Sequence, residues 1–169
     1  MGKDTAIHAQ MVAYYERVNQ NNQSALAGRM PKPPAAQQAS YVGVAVCARC
    51  HAPAFRQWKH TWHANAYGTL RSLTREFNLE CVGCHVTGYD IPGGSTVTHV
   101  DLLENVQCEA CHGPGSRHVE DPTDEKATIA KPDDARCRDC HHPPHVEELD
   151  ATANVQRILG PGHGMPMKK

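Results

Sequence analysis

The chain has 169 residues, a formal net charge of −1 and only 5% aromatic residues, with a mean hydropathy of −0.57. That length allows one domain or a domain with an appendage, and so few aromatic side chains make a thin core unless something besides protein fills it. The near-neutral charge and a pI of about 6.8 argue against nucleic acid or an anionic membrane as partner, and no stretch is long and apolar enough to predict a membrane span.

Residues 4–27 read as an amphipathic helix, with Ile7, Met11, Tyr14, Tyr15, Val18 and Leu26 at helical spacing and Asp4 or Thr5 placed to cap its start. Met30-Pro-Lys-Pro-Pro34 follows, an extended linker. Residues 1–40 are therefore expected to be an arm or docking helix outside a main domain of residues 41–169. His8 lies on the arm, either as a surface histidine or as a ligand donated elsewhere. Met1-Gly2-Lys3-Asp4 leads into polar sequence without the apolar run of a signal peptide.

The main domain opens on Cys47-Ala-Arg-Cys50-His51. Pro53 suits a first helical turn, and Phe55, Trp58, Trp62, Ala66 and Leu73 predict one helix to about Arg75. His63 falls nearer its apolar stripe than His60, so His63 is the better ligand candidate. A second motif, Cys81 to His85, runs into turn-forming sequence through Gly94, and Thr96–Val100 reads as a short strand carrying His99, ligand or bystander. A third motif, Cys108-Glu-Ala-Cys111-His112, is followed by Gly113-Pro-Gly115 and then His118. Residues 119–135 read as a solvated loop. A fourth motif, Cys137 to His141, precedes His142-Pro-Pro-His145, a helix predicted from about Glu147 to Leu159, and His163 in a Gly/Pro-rich turn beside Met165 and Met167.

All eight cysteines, Cys47, Cys50, Cys81, Cys84, Cys108, Cys111, Cys137 and Cys140, therefore fall in four Cys-x-x-Cys pairs, each followed directly by a histidine: His51, His85, His112 and His141. Zinc sites and disulfides do not require that histidine. Covalent c-type haem does: two thiols form thioethers and the histidine ligates iron. Four of four motifs with no cysteine left over point to four haem c groups. The gaps between motifs are 29, 22 and 24 residues, each too short for its own hydrophobic core. The expected fold is mainly α with much irregular loop, a multihaem cytochrome c whose four haems form the core. Eight further histidines (His8, His60, His63, His99, His118, His142, His145 and His163) exceed the four needed for a second axial ligand on every iron. Iron so ligated suits electron transfer, with potentials set by ligands and surroundings. Methionine ligation is the less favoured alternative at the C-terminus.

Gln57-Trp-Lys-His-Thr-Trp-His-Ala64, Cys81-Val-Gly-Cys-His-Val-Thr-Gly-Tyr89 with Gly93-Gly94, and Val106-Gln-Cys-Glu-Ala-Cys-His-Gly-Pro-Gly115 resemble the tetrahaem cytochrome c-554 family. The resemblance spans about residues 41–145 and extends to modules of this type appended to larger exported, phosphoesterase-linked proteins. It implies a helical scaffold of stacked haem pairs passing electrons between partners. It also implies a ligand map: His63 on the third haem, His118 on the first and His163 on the fourth. The second haem of the prototype lacks a sixth protein ligand; here His145, then His99, are the candidates to supply it.

The expected function is electron transfer, without a catalytic residue, between redox proteins or neighbouring cytochromes in the periplasm or outside the cell. The alternatives are a haem enzyme acting on a small nitrogen or oxygen species at a five-coordinate haem 2, and a subunit of an extracellular conductive filament, or other homo-oligomer, docked through the N-terminal arm and His8.

Overall fold

The computed structural model describes residues 4–167. Helix α1 spans Thr5–Ala25 and starts where Asp4 caps it, the carboxylate accepting from the Ala6 and Ile7 amides. Its first half leaves Ile7, Met11 and Tyr14 exposed, but its second half is docked. The Asn19 side chain is buried and accepts from the Phe77 amide at 3.2 Å. Asn22 Nδ2 donates to the Phe77 carbonyl at 2.8 Å, and the Arg75 guanidinium lies 4.0 Å from the Tyr15 ring centre. Arg29, just beyond the helix, pairs with Asp90 at 2.6 Å. The arm is thus fastened to the chain around the second motif rather than detached from it. Asn19→Ala leaves the Phe77 amide without its acceptor, so urea denaturation of the mature protein should show a loss of about 1–3 kcal/mol, with cleavage in residues 27–40 as an earlier sign of loosening.

The apolar cluster beneath α1 is small. Tyr67 and Leu70 of α4 (Ala66–Ser72) meet Val82 of α5 (Leu79–His85), with Val86, Val97 and Val100 behind them. Leu26, Phe77 and Tyr89 close its edges. The loop behind is held by buried hydroxyls. Ser95 Oγ donates to the Thr87 carbonyl at 2.9 Å, and Thr87 Oγ1 donates to the Asn105 carbonyl at 2.8 Å while accepting from the Gln107 amide at 2.9 Å. This polar bolting leaves no strand over residues 96–100. Thr96 and His99 bond to each other's backbone across a tight turn instead.

The helix expected from Pro53 to Arg75 is broken. Helix α3 covers Ala52–Trp58, and a 3-10 turn over Trp62–Asn65 precedes α4. Thr61 Oγ1 donates to the Trp58 carbonyl at 2.7 Å, competing with the helical bond pattern, and Trp58 Nε1 donates to the Val106 carbonyl at 2.8 Å. The C-terminal helix likewise shrinks to Ala151–Val155, capped by Asp150. Two two-residue strands, Gly160–Pro161 (β1) and Gly164–Met165 (β2), then pair in parallel with Gly160 opposite Gly164 and wrap the tail around His163. Gln57 Nε2 fastens this tail to α3 by donating to the Leu159 carbonyl at 3.0 Å. The architecture is mostly helical with much irregular loop. Among the described residues no helix is long and apolar enough to cross a membrane.

Candidate haem-binding sites

Each Cys-x-x-Cys-His motif sits on a short helical turn. Helices α2 (Val44–Cys47) and Cys108–His112 carry the first and third motifs, α5 the second and Asp134–Arg138 the fourth. Where the helix ends at or just past the first cysteine, the turn still continues: the His51 amide donates to the Cys47 carbonyl and the His141 amide to the Cys137 carbonyl, both at 2.9 Å. A helical turn places residues i and i+3 on one side, so both thiols face the same way with the imidazole beside them. All eight cysteines are free thiols. The described residues form no cluster of three or more histidines, cysteines and carboxylates suited to a metal ion.

The motifs themselves are paired. The Cys47 and Cys108 thiols are close enough to influence each other, and that neighbour, with burial, holds the Cys47 thiol above its usual range. Burial, then the neighbouring Cys84, pushes Cys140 up to about 12. The first motif therefore lies against the third, and the second against the fourth.

Facing imidazoles complete three of the four sites. His51 and His118 have ring centres 5.9 Å apart with planes inclined by 25°. His63 and His141 are 6.0 Å apart, and His112 and His163 are 6.3 Å apart with planes at 69°. An imidazole nitrogen binds a first-row metal at about 2 Å and lies about 1 Å from its ring centre, so two imidazoles on opposite sides of one ion stand about 6 Å apart. The three separations fit that arrangement.

Second contacts orient the rings. Nδ1 of His85 donates to the Ala66 carbonyl at 2.6 Å, that of His112 to Ile129 at 2.6 Å and that of His163 to Ile158 at 2.8 Å. A carbonyl only accepts, so Nδ1 carries the proton and Nε2 keeps its lone pair for a metal. His118 Nδ1 is buried without a hydrogen-bond partner, a nitrogen free to ligate. Burial, and then the charge of His141, hold His63 below its usual value, favouring the neutral form that ligates. The residues present thus fit haem c.

The pairing departs from the ligand map implied by resemblance in one respect. His118 faces His51 of the first motif, but His63 faces the fourth motif rather than the third, and His163 the third rather than the fourth. The exchange follows from the break after Trp58, which swings His63 out of the expected helix, and from the Gln57–Leu159 bond that lays the tail on α3. His145 is exposed, because the chain turns in place where the His145 and Val146 amides both bond to the His142 carbonyl. His99 Nδ1 lies beside the Thr96 and Thr98 hydroxyls, and His8 is exposed on α1. None of these three faces another imidazole among the described residues, and neither does His85.

One residue with no role in the sequence reading is prominent here. Glu109, inside the third motif, is 3% exposed, and both its oxygens accept backbone N–H groups from two other segments. A glutamate between two cysteines carries no sequence signal of that kind.

A loop-rich helical scaffold that sets Cys-x-x-Cys-His motifs against opposed imidazoles presents the donors of a c-type haem protein. Over residues 46–113 the chain matches the family described as cytochrome c554 and c-prime. It is 33% identical over 96 residues to cytochrome c-554 of Nitrosomonas europaea, a match that covers 47% of this chain and 41% of that protein. The chain thus matches about two fifths of that relative's length. The fold is similar to the reduced state of cytochrome c554 from Nitrosomonas europaea, with a TM-score of 0.54 and 24% identity over 67% of this chain and 70% of the other.

Proposed function

We propose that this protein transfers electrons through four covalently attached haem c groups, one on each Cys-x-x-Cys-His motif. The observation that carries the reading is the three opposed imidazole pairs, His51 with His118, His63 with His141 and His112 with His163. When bound, each haem supplies a one-electron ferric/ferrous couple. The chain's own residues then hold it. The cysteines would form its thioethers, the opposed imidazoles would ligate the iron at the first, third and fourth motifs, and the Nδ1 bonds of His85, His112 and His163 to the Ala66, Ile129 and Ile158 carbonyls keep those rings from turning. An iron closed on both faces offers no position for a substrate, so the three opposed pairs favour an electron carrier over an enzyme. The Cys47–Cys108 and Cys84–Cys140 contacts support two haem pairs, first with third and second with fourth.

The haem-bearing unit is residues 41–169, with residues 1–40 an arm fastened to its side. Its partners are other redox proteins, and covalent haem attachment places it outside the cytoplasm. The second motif presents His85 without an opposed imidazole among the described residues, so its haem is the one with a free sixth position. Carbon monoxide titration of the reduced protein tests the whole reading. One molecule bound per four haems is the expected result, and binding at two or more haems would contradict it.

A further inference from the structure

Glu109 joins three segments that the haem sites need in register. Its Oε1 accepts from the Gly115 amide at 2.7 Å and the Val42 amide at 2.9 Å, and its Oε2 accepts from the Gly43 amide at 2.7 Å and, more weakly, from Val42 at 3.2 Å. Val42 and Gly43 lead into the helix of the first motif. Gly115 leads into the helix Ser116–Glu120, which carries His118. The carboxylate itself sits between the two cysteines of the third motif. A buried side chain therefore ties the third motif to both halves of the first site, the anchor and the opposed imidazole. Ser40 and Ser116 close the same junction, the Ser40 amide donating to Ser116 Oγ at 2.9 Å and the Ser116 amide to the Ser40 carbonyl at 3.1 Å.

The charge of this carboxylate is held by backbone dipoles alone. No ion pair among the described residues includes it. Its field reaches the segment that leads into the first motif: after burial, Glu109 is the main influence holding the Tyr41 phenol above its usual range. A fixed negative charge in a low-dielectric interior favours the more positive member of a nearby redox couple.

We propose that Glu109 is a positioning residue for the haems of the first and third motifs, and that its uncompensated charge lowers their reduction potentials. The proposal rests on the four-haem reading. A glutamate serving only to pack would need its shape but not its charge. Glu109→Gln keeps the shape and one acceptor oxygen but removes the charge, whereas Glu109→Asp keeps the charge on a shorter stem.

Both variants are made in the full chain, matured with haem and titrated by spectroelectrochemistry beside the unmodified protein. Haem count and spin state of the unmodified protein test the four-haem reading separately. Glu109→Gln should shift the reduction equilibrium of two of the four haems about tenfold towards the ferrous state, equivalent to about 59 mV for a one-electron couple, while Glu109→Asp stays close to the unmodified protein. Glu109→Asp attaching four haems where Glu109→Gln attaches fewer would also support the role. Four unchanged potentials in a fully loaded Glu109→Gln would overturn it. So would equal shifts in both variants, or failure of both to attach haem, since shape alone would then decide.

Discussion

Replacing His118 with alanine should turn one haem of the oxidised protein high-spin, and that haem should be the one on Cys47, Cys50 and His51. His118 is delivered by a turn that uses Gly113 at a φ of 81°, a left-handed conformation that side chains with a Cβ resist, and its ring centre then stands 5.9 Å from that of His51. Removing it strips the iron of one of two imidazoles and leaves the other three sites untouched. Double variants identify the haem affected. Adding His51→Ala to His118→Ala should disturb no second haem, because both residues serve one iron, whereas adding His112→Ala should disturb a second. The same logic separates the observed pairing from the one implied by family resemblance. His63→Ala should act on the site of His141, and His163→Ala on that of His112. Electron paramagnetic resonance of the ferric proteins provides the measurement.

The chain without haem should not fold, and this is the largest effect expected. Among the described residues the buried apolar side chains are Tyr67, Leu70, Val82, Val86, Val97, Val100, Leu103 and Ala151. So small a core buries too little apolar surface to hold a chain of 169 residues by itself. The cluster also lies on one side, around the second motif. The first, third and fourth motifs are connected through Glu109, Gln57 and the paired thiols rather than through apolar packing. Chain produced where haem is not attached should therefore show little helical circular dichroism and rapid amide exchange throughout, including α4 and α5. A cooperatively folded haem-free chain would contradict this.

What the sequence made legible and what it hid divide along the range of the interactions involved. Helix α1 follows from its apolar spacing and the Asp4 cap, both local signals. The helical turns at the motifs and the position of His118 after a Gly-Pro-Gly turn are local as well. The break after Trp58 depends on its indole reaching the Val106 carbonyl, and the docking of α1 on Asn19 and Asn22 reaching Phe77. Such polar contacts between distant segments leave no periodicity to read. The partners of His63 and His163 were hidden for the same reason. They depend on a tail fastened by Gln57 to Leu159, 102 residues away. The turn over residues 96–100 alternates like a strand, but the Thr96 and Thr98 hydroxyls donate to the distant Arg29 and Leu26 carbonyls, so the alternation misled.

Four haems, three of them between opposed histidines, would give a definite set of ferric spin states, which quantitative electron paramagnetic resonance of the fully oxidised protein counts. The expected result is four ferric centres per chain, three low-spin and one high-spin, with the high-spin centre lost on binding a strong-field ligand such as cyanide. Fewer than four ferric centres, or a spectrum in which high-spin iron predominates, would contradict it.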